Sequence, residues 1–259
     1  MLENSEQNAR VLDQFKKQAA SYAALVNSTK DSTLPAFLDA AKPGRADRML
    51  DVGCGTGRFA ITIAPLVAEV VGVDLTLAML EQARRSQADA KIANIRWQQA
   101  DVTELPFSDG EFTLVTSRAM LHHVASPARV IAEMHRVCAP GGRIVITDVT
   151  PKREKVAAFD AIEILRDPSH AHAMTNAELR AIGAELGLVE IAMIEDVLRL
   201  PLEAVLDTSF PEAGMLDRVR RLYRMDAQCG ADTLGLGAQI ENDQIIVAYP
   251  MSMVAWKRV

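Results

Sequence analysis

The chain has 259 residues, with 28 Lys and Arg against 34 Asp and Glu, a formal net charge of -6, 49% hydrophobic and 24% charged residues. That length and composition suit one large α/β domain with a substantial core, and the acidic balance argues against the basic stripe on which nucleic-acid binders depend. Three cysteines, Cys54, Cys138 and Cys229, stand far apart with no CxxC pair, so neither a zinc nor a redox site is expected and each reads as a small buried apolar residue.

The opening "MLENSEQNAR" is polar and lacks a basic-then-apolar order, and the longest low-charge run, 61–73, already contains Pro65 and Glu69. A soluble, cytoplasmic protein is expected, ordered everywhere except that tip. Two helices follow, "VLDQFKKQAASYAALV" and "TLPAFLDAA", which either cover the active edge of a sheet as a lid or pack behind it.

From there short β-branched runs alternate with amphipathic helical patterns, predicting strands over 48–52, 70–74, 95–99, 112–117 and 143–148 and hence βαβ units with a parallel sheet. Thr76 is placed to cap one helix; "SPARVIAEMHRVCAPGG" supplies Ser126 as cap, Pro127 in the first turn and Pro140-Gly141 past the end of another. Beyond Asp148, a helix is predicted over 152–165, and "TNAELRAIGAELG" predicts a second with Thr175 and Glu178 as a capping box and Gly187 as the stop. "RVRRLYR", 218–224, reads as the solvated face of a helix. The last strands are predicted over 188–197 and 245–256, the final one antiparallel and reached by a turn near Glu241-Asn242.

The chemistry concentrates in "MLDVGCGTGRF", where Gly53, Gly55 and Gly57 occupy alternate positions after a predicted strand. Such a loop brings backbone N–H groups to the carboxyl edge of the sheet, where open α/β folds bind nucleotide-like ligands. Asp51 precedes it, and a carboxylate beside a pyrophosphate would be repelled, whereas an ammonium would be attracted. Asp74 ends the second strand and suits the two hydroxyls of a ribose. Asp101 follows the third and suits an adenine amine, with Val102 adding backbone polarity and an apolar edge. Acids at three successive strand ends fit a ligand with adenine, ribose and ammonium but no phosphate, which is S-adenosylmethionine.

With these motifs, "LDVGCGTG", "VVGVD", "ADVTELPFSDGEF", "LHHV" and "RVCAPGGRIVI" in order, the sequence resembles the class I S-adenosylmethionine-dependent methyltransferases, most of all the group related to ubiquinone and menaquinone biosynthesis methyltransferases. The likeness runs from about Phe15 to the C-terminus and is strongest over 49–148. It implies a Rossmann-like three-layer sandwich with a mostly parallel seven-stranded sheet and an antiparallel last strand. It implies one domain, with 1–45 as a helical cap, 46–150 as the cofactor core and 151–259 bearing substrate-recognition insertions. It also implies a cofactor site at Asp51, Gly53, Gly55, Gly57, Asp74, Leu75, Asp101, Val102, Ser117 and Arg118, the last facing the methionyl carboxylate or a substrate anion. Two departures matter. The quinone C-methyltransferases carry Arg-Asn-Val after the fourth strand where this chain has "SRAMLHHV", which counts against quinone methylation. Thr113 replaces the family's Asp and is expected to act on loop structure rather than chemistry. "RDPSH", 166–170, resembles an uncharacterised bacterial subgroup of small-molecule methyltransferases.

Methyl transfer from a sulfonium needs mainly alignment, and a general base only when the acceptor must lose a proton. His122 and His123 follow the fourth strand at the ligand edge, His170 lies where substrate-recognition structure is inserted, and Tyr22 sits on the N-terminal helix; these four are the catalytic candidates, each with a packing role as its alternative. No spacing suits a metal. The expected partner is a small-molecule acceptor, with no nucleic acid and no membrane insertion. Two other readings remain open. "GTGRFA" satisfies a relaxed dinucleotide fingerprint with Asp74 as its ribose acid, as in a nicotinamide-dependent dehydrogenase. A non-catalytic S-adenosylmethionine binder that regulates a partner would present the same edge.

Overall fold

The computed structural model describes residues 2–28 and 33–259, with side chains at 5–25 and 33–259. The chain runs α1 (Leu2–Ser28), α2 (Leu34–Ala41), β1 (Arg48–Val52), α3 (Arg58–Ile63), β2 (Glu69–Asp74), α4 (Leu77–Ala90), β3 (Ile95–Gln99) and β4 (Phe112–Arg118). It continues through α5 (Pro127–Val137), β5 (Cys138–Val149), α6 (Val156–Arg166), α7 (Asn176–Glu185), β6 (Val189–Pro201), α8 (Leu202–Leu206), α9 (Met215–Cys229), β7 (Gln239–Glu241) and β8 (Gln244–Lys257).

Period-two alternation builds the layers. Met49, Val70, Leu114 and Val145 turn to one face, where Phe37 and Ala41 of α2 and Ala60 and Ile63 of α3 cover them. Leu50, Val71, Val115 and Ile144 turn to the other, under Val130, Ile131 and Met134 of α5 and Leu179 of α7. A third cluster joins Phe159, Leu202, Val219 and Tyr223 from α6, α8 and α9 to Val247 and Tyr249 of β8.

The strand order is β3-β2-β1-β4-β5-β8-β6, with β7 pairing β8. The pairs from β3 to β5 are parallel, and β8 is antiparallel to both β5 and β6. The expected seven-stranded path is present, and β7 adds an eighth strand through a hairpin turning at Asn242 and Asp243, both at positive φ. β6 runs to Pro201, beyond the expected Val197. Because Val149 at the end of β5 pairs with Met251, the pairs Val197 to Pro250 through Pro201 to Ile246 extend past the carboxyl edge of the sheet.

Several local expectations change. The polar tip, expected to be loose, is helical from Leu2, while Met1 lies outside the described residues. The helix predicted from 152 begins at Val156, and the strand predicted from 143 begins at Cys138. Thr76 and Ser126 occupy N-cap positions without side-chain capping bonds, whereas the Thr175–Glu178 capping box forms in full. Cys54 and Cys138 are buried, but Cys229 is exposed at the end of α9. In "RVRRLYR", Arg220 pairs with Glu203 and Asp217 on the surface while Val219 and Tyr223 are buried. Thr113 donates to Asp47 and accepts the Arg48 N–H, tying the entry of β1 to β4. Among the described residues no helix is long and apolar enough to cross a membrane.

Candidate active site

A cavity of about 250 Å³ opens at the carboxyl edge between the glycine loop, α1 and the overhanging ends of β6 and β8. Both expectations for the N-terminal helices are met in part: α1 covers this edge with Asn8, Val11, Phe15, Tyr22 and Leu25 in the wall, while α2 packs on the sheet face with Phe37.

The three loop glycines have different reasons. All have positive φ, a region costly for side-chain-bearing residues. A Cβ on Gly53 would meet Met120 Cγ at 2.3 Å, and one on Gly57 would meet the Trp97 ring at 2.5 Å and Ala83 at 2.9 Å. Only at Gly55 is the space open. Gly53 and Gly55 line the cavity; Gly57 serves packing behind it.

Asp51, Asp74 and Asp101 all line the cavity, with Leu75, Val102 and Arg118. Asp74 accepts the Gly55 N–H at 2.9 Å and the Thr76 N–H at 2.8 Å, and burial raises its pKa. Asp51 accepts from the Thr116 hydroxyl at 3.2 Å, but its Oδ2 is buried with no partner. Burial pushes its carboxyl up to about 7. Burial also opposes the charge of Asp101, yet the hydroxyl and N–H of Thr103, the Asn8 amide and nearby Arg129 outweigh it and hold this carboxyl below its usual value. Ser117 is not in the cavity wall; its hydroxyl is buried without a partner. Arg118 donates to Thr33 Oγ1 at 2.8 Å and lies 5.7 Å from the centre of the Phe59 ring.

Of the four catalytic candidates, Tyr22 and His123 line the cavity and His122 and His170 do not. His122 Nδ1 meets Asp148 Oδ1 at 2.5 Å; burial opposes its charge, but Asp148 outweighs it and raises the pKa. His170, with 1% of its side chain exposed, pairs with Asp160 at 2.7 Å, and the same carboxylate takes His172 at 2.8 Å. The two segments are locked together, since the N–H groups of Ala171 and His172 donate to the His122 carbonyl and the His122 and His170 rings lie 5.6 Å apart. Burial and the adjacent His122 drive the pKa of His123 down. Burial raises that of Tyr22, against the pull of Arg118.

The sequence reading missed the polar underside of α1. Gln7 donates to the carbonyls of His123 and Ser169 at 2.8 and 2.6 Å, and Gln18 donates to Asp167 at 3.0 Å. It also missed Leu198, Leu200 and Met251, which close the cavity with apolar side chains. Period-two alternation carried through Pro201 was the available signal for the leucines. No apolar periodicity marks a buried glutamine.

Residues 50–146 match the family described as "Methyltransferase domain". An uncharacterised methyltransferase of Bacillus subtilis, YcgJ, is 31% identical over 170 residues, covering 65% of this chain and 67% of that protein. Its crystal structure superimposes with a TM-score of 0.78 at 23% identity, over 87% of this chain and 97% of that one. The ubiquinone/menaquinone biosynthesis C-methyltransferase UbiE of Desulfotalea psychrophila is 38% identical over 119 residues, 45% of this chain and 47% of that protein. A geranyl diphosphate C-methyltransferase from Streptomyces coelicolor, solved with Mg2+, geranyl diphosphate and S-adenosylhomocysteine, aligns with a TM-score of 0.58 at 18% identity over 88% of this chain and 78% of that one.

Proposed function

Since the chain belongs to the methyltransferase family and is an S-adenosylmethionine-dependent enzyme, we propose that it methylates a small, largely apolar acceptor held between the glycine loop and α1. The observation that carries the acceptor class is the cavity: about 250 Å³, walled beyond the acids by Phe15, Leu198, Leu200 and Met251 and roofed by a helix. A macromolecular segment needs an open groove, and a nucleic acid needs a basic one.

The acids fit the cofactor. The unpartnered, buried Oδ2 of Asp51 suits an ammonium, the space at Gly55 admits a ligand against the backbone, and Asp74 and Asp101 stand at the ends of the next two strands. The cofactor set in this reading is Asp51, Gly53, Gly55, Asp74, Leu75, Asp101, Val102 and Arg118, with Gly57 and Ser117 supporting from behind. Bound there, S-adenosylmethionine supplies a methyl group on a sulfonium, open to in-line displacement. The chain's own contribution is to fix the acceptor: α1 excludes water, the apolar wall orients the body, and Tyr22 and His123 provide the polar contacts. Alignment of this kind supplies much of the acceleration in well-oriented transfers.

The test is transfer of labelled methyl to a panel of aromatic and isoprenoid small molecules, with transfer RNA and a protein lysate run alongside. Label in a small molecule supports the reading; label confined to RNA or protein overturns it. A dinucleotide reading gains nothing from the cavity, because the unpartnered carboxylate of Asp51 would face the pyrophosphate.

A further inference from the structure

Behind His123 lies a hydrogen-bonded chain that methyl-donor binding does not require. His123 Nδ1 sits 3.1 Å from the Ser169 carbonyl and 3.1 Å from the Ser169 hydroxyl. That hydroxyl donates to Asp167 Oδ1 at 2.5 Å, the Ser169 N–H donates to the same oxygen at 2.9 Å, and Gln18 donates to Oδ2 at 3.0 Å. With its hydrogen committed to Asp167, the Ser169 hydroxyl can only accept, as the carbonyl must. Both partners of Nδ1 are therefore acceptors, so Nδ1 carries the proton and Nε2 keeps the lone pair. Among the described residues no hydrogen-bond partner reaches Nε2, and the ring lines the cavity with Phe15 packed edge-on at 4.8 Å.

Resting on the methyltransferase reading, we propose that His123 Nε2 is the proton acceptor for a hydroxyl-bearing acceptor, a phenol or enol, and that Ser169 and Asp167 are positioning residues that fix its tautomer. In the reaction the acceptor oxygen bonds to the methyl carbon and the carbon–sulfur pair stays on sulfur. The hydroxyl proton passes to Nε2 and later to water. Asp167, across Ser169, faces the imidazolium that forms. The His122 ring lies 4.1 Å from that of His123, with His170 beyond it at 5.6 Å from His122, and Asp148 and Asp160 back these two. Pairing with Asp148 raises the pKa of His122, and burial together with that neighbour lowers the pKa of His123. Two adjacent imidazoles are thus shifted in opposite directions, the pattern that separates an acid from a base. A base of weakened strength suits an acidic hydroxyl rather than an aliphatic alcohol.

The experiment is long-range proton–nitrogen correlation NMR on protein labelled at its five histidines and saturated with S-adenosylhomocysteine. His123 is assigned by the signal lost in His123→Gln. The expected spectrum has His123 protonated at Nδ1 and bare at Nε2 from pH 5.5 to 8.5. Ser169→Ala and Asp167→Asn should shift it toward the other tautomer while calorimetric affinity for S-adenosylhomocysteine stays unchanged. Titrated 2-naphthol should move the Nε2 resonance toward its hydrogen-bonded value, and 2-methoxynaphthalene should leave it in place. A proton on Nε2 in the unaltered protein, or equal responses to the two naphthalenes, overturns the proposal. Loss of S-adenosylhomocysteine binding by the unaltered protein would instead overturn the underlying reading. In turnover, His123→Gln should lower transfer to hydroxyl acceptors by about 10²-fold or more, and Asp167→Asn should displace the pH profile, which loss of packing alone would not do.

Discussion

Along the proposed cofactor edge most of the bonds to the acids are short in sequence: Thr76 to Asp74 and Thr103 to Asp101 span two residues and Gly55 to Asp74 spans 19, while Thr116 reaches Asp51 across 65 and Asn8 reaches Asp101 across 93. On the proposed acceptor side Gln7 reaches His123 across 116 residues and Ser169 across 162, and Gln18 reaches Asp167 across 149. The first region is set by where strands end. The second exists only once α1, the turn after β4 and the α6–α7 connection have met. One cavity therefore has a wall held mostly by bonds near the strand ends and a wall that tertiary packing assembles, and mutations should separate the two.

The largest separation should come from Asp74→Ala. It removes a carboxylate that holds the Gly55 loop and, in the proposed site, a ribose, a charge-assisted pairing worth about 2–3 kcal/mol. S-adenosylhomocysteine affinity measured by calorimetry should fall roughly 30- to 150-fold while the fold persists; unchanged affinity would break the division between the two walls.

A pH series should sharpen it next. The Asp51 carboxyl, raised by burial to about 7, holds a proton in the folded protein that the unfolded chain releases. Its contribution to stability is therefore lost as pH rises from the usual carboxylate value toward 7. An ammonium selects the ionised form, so S-adenosylhomocysteine should bind about tenfold or more tightly at pH 8 than at pH 5.5 and raise Tm more there. Asp51→Asn should flatten both trends, and a persistent slope would assign them to another group.

Arg118→Met should weaken S-adenosylmethionine and S-adenosylhomocysteine alike by roughly tenfold, as for loss of one charged hydrogen bond of about 1.5 kcal/mol. A drop confined to acceptor KM would move Arg118 to the other wall. The last variant concerns α1 and is read in stability rather than binding: Gln7→Leu leaves the carbonyls of His123 and Ser169 without that donor. It should cost about 1–2 kcal/mol, read as faster hydrogen exchange over α1 with the core unchanged.

The division also explains what the sequence could tell. Asp51, Asp74 and Asp101 were legible because each lies within two residues of the end of a short strand, and a strand end is a local event. Gly53 and Gly57 were legible as glycines but not in their reasons, since Met120 and Trp97 crowd them from distant elements. The antiparallel last strand could be read from its turn, whereas the overhang bearing Leu198 and Leu200 depends on where β5 stops, a pairing invisible along one strand. His122 and His123 are neighbours with opposite surroundings. Only Asp148 and Ser169, brought in by the fold, distinguish them.

Calorimetric titration of the unaltered protein and Asp74→Ala with S-adenosylhomocysteine and NADH decides which ligand the glycine loop holds. The unaltered protein should bind S-adenosylhomocysteine at micromolar concentration, the variant should lose that binding severely, and NADH should give no heat. Binding of NADH alone would contradict a methyl-donor site at this edge and return the glycine loop to a dinucleotide.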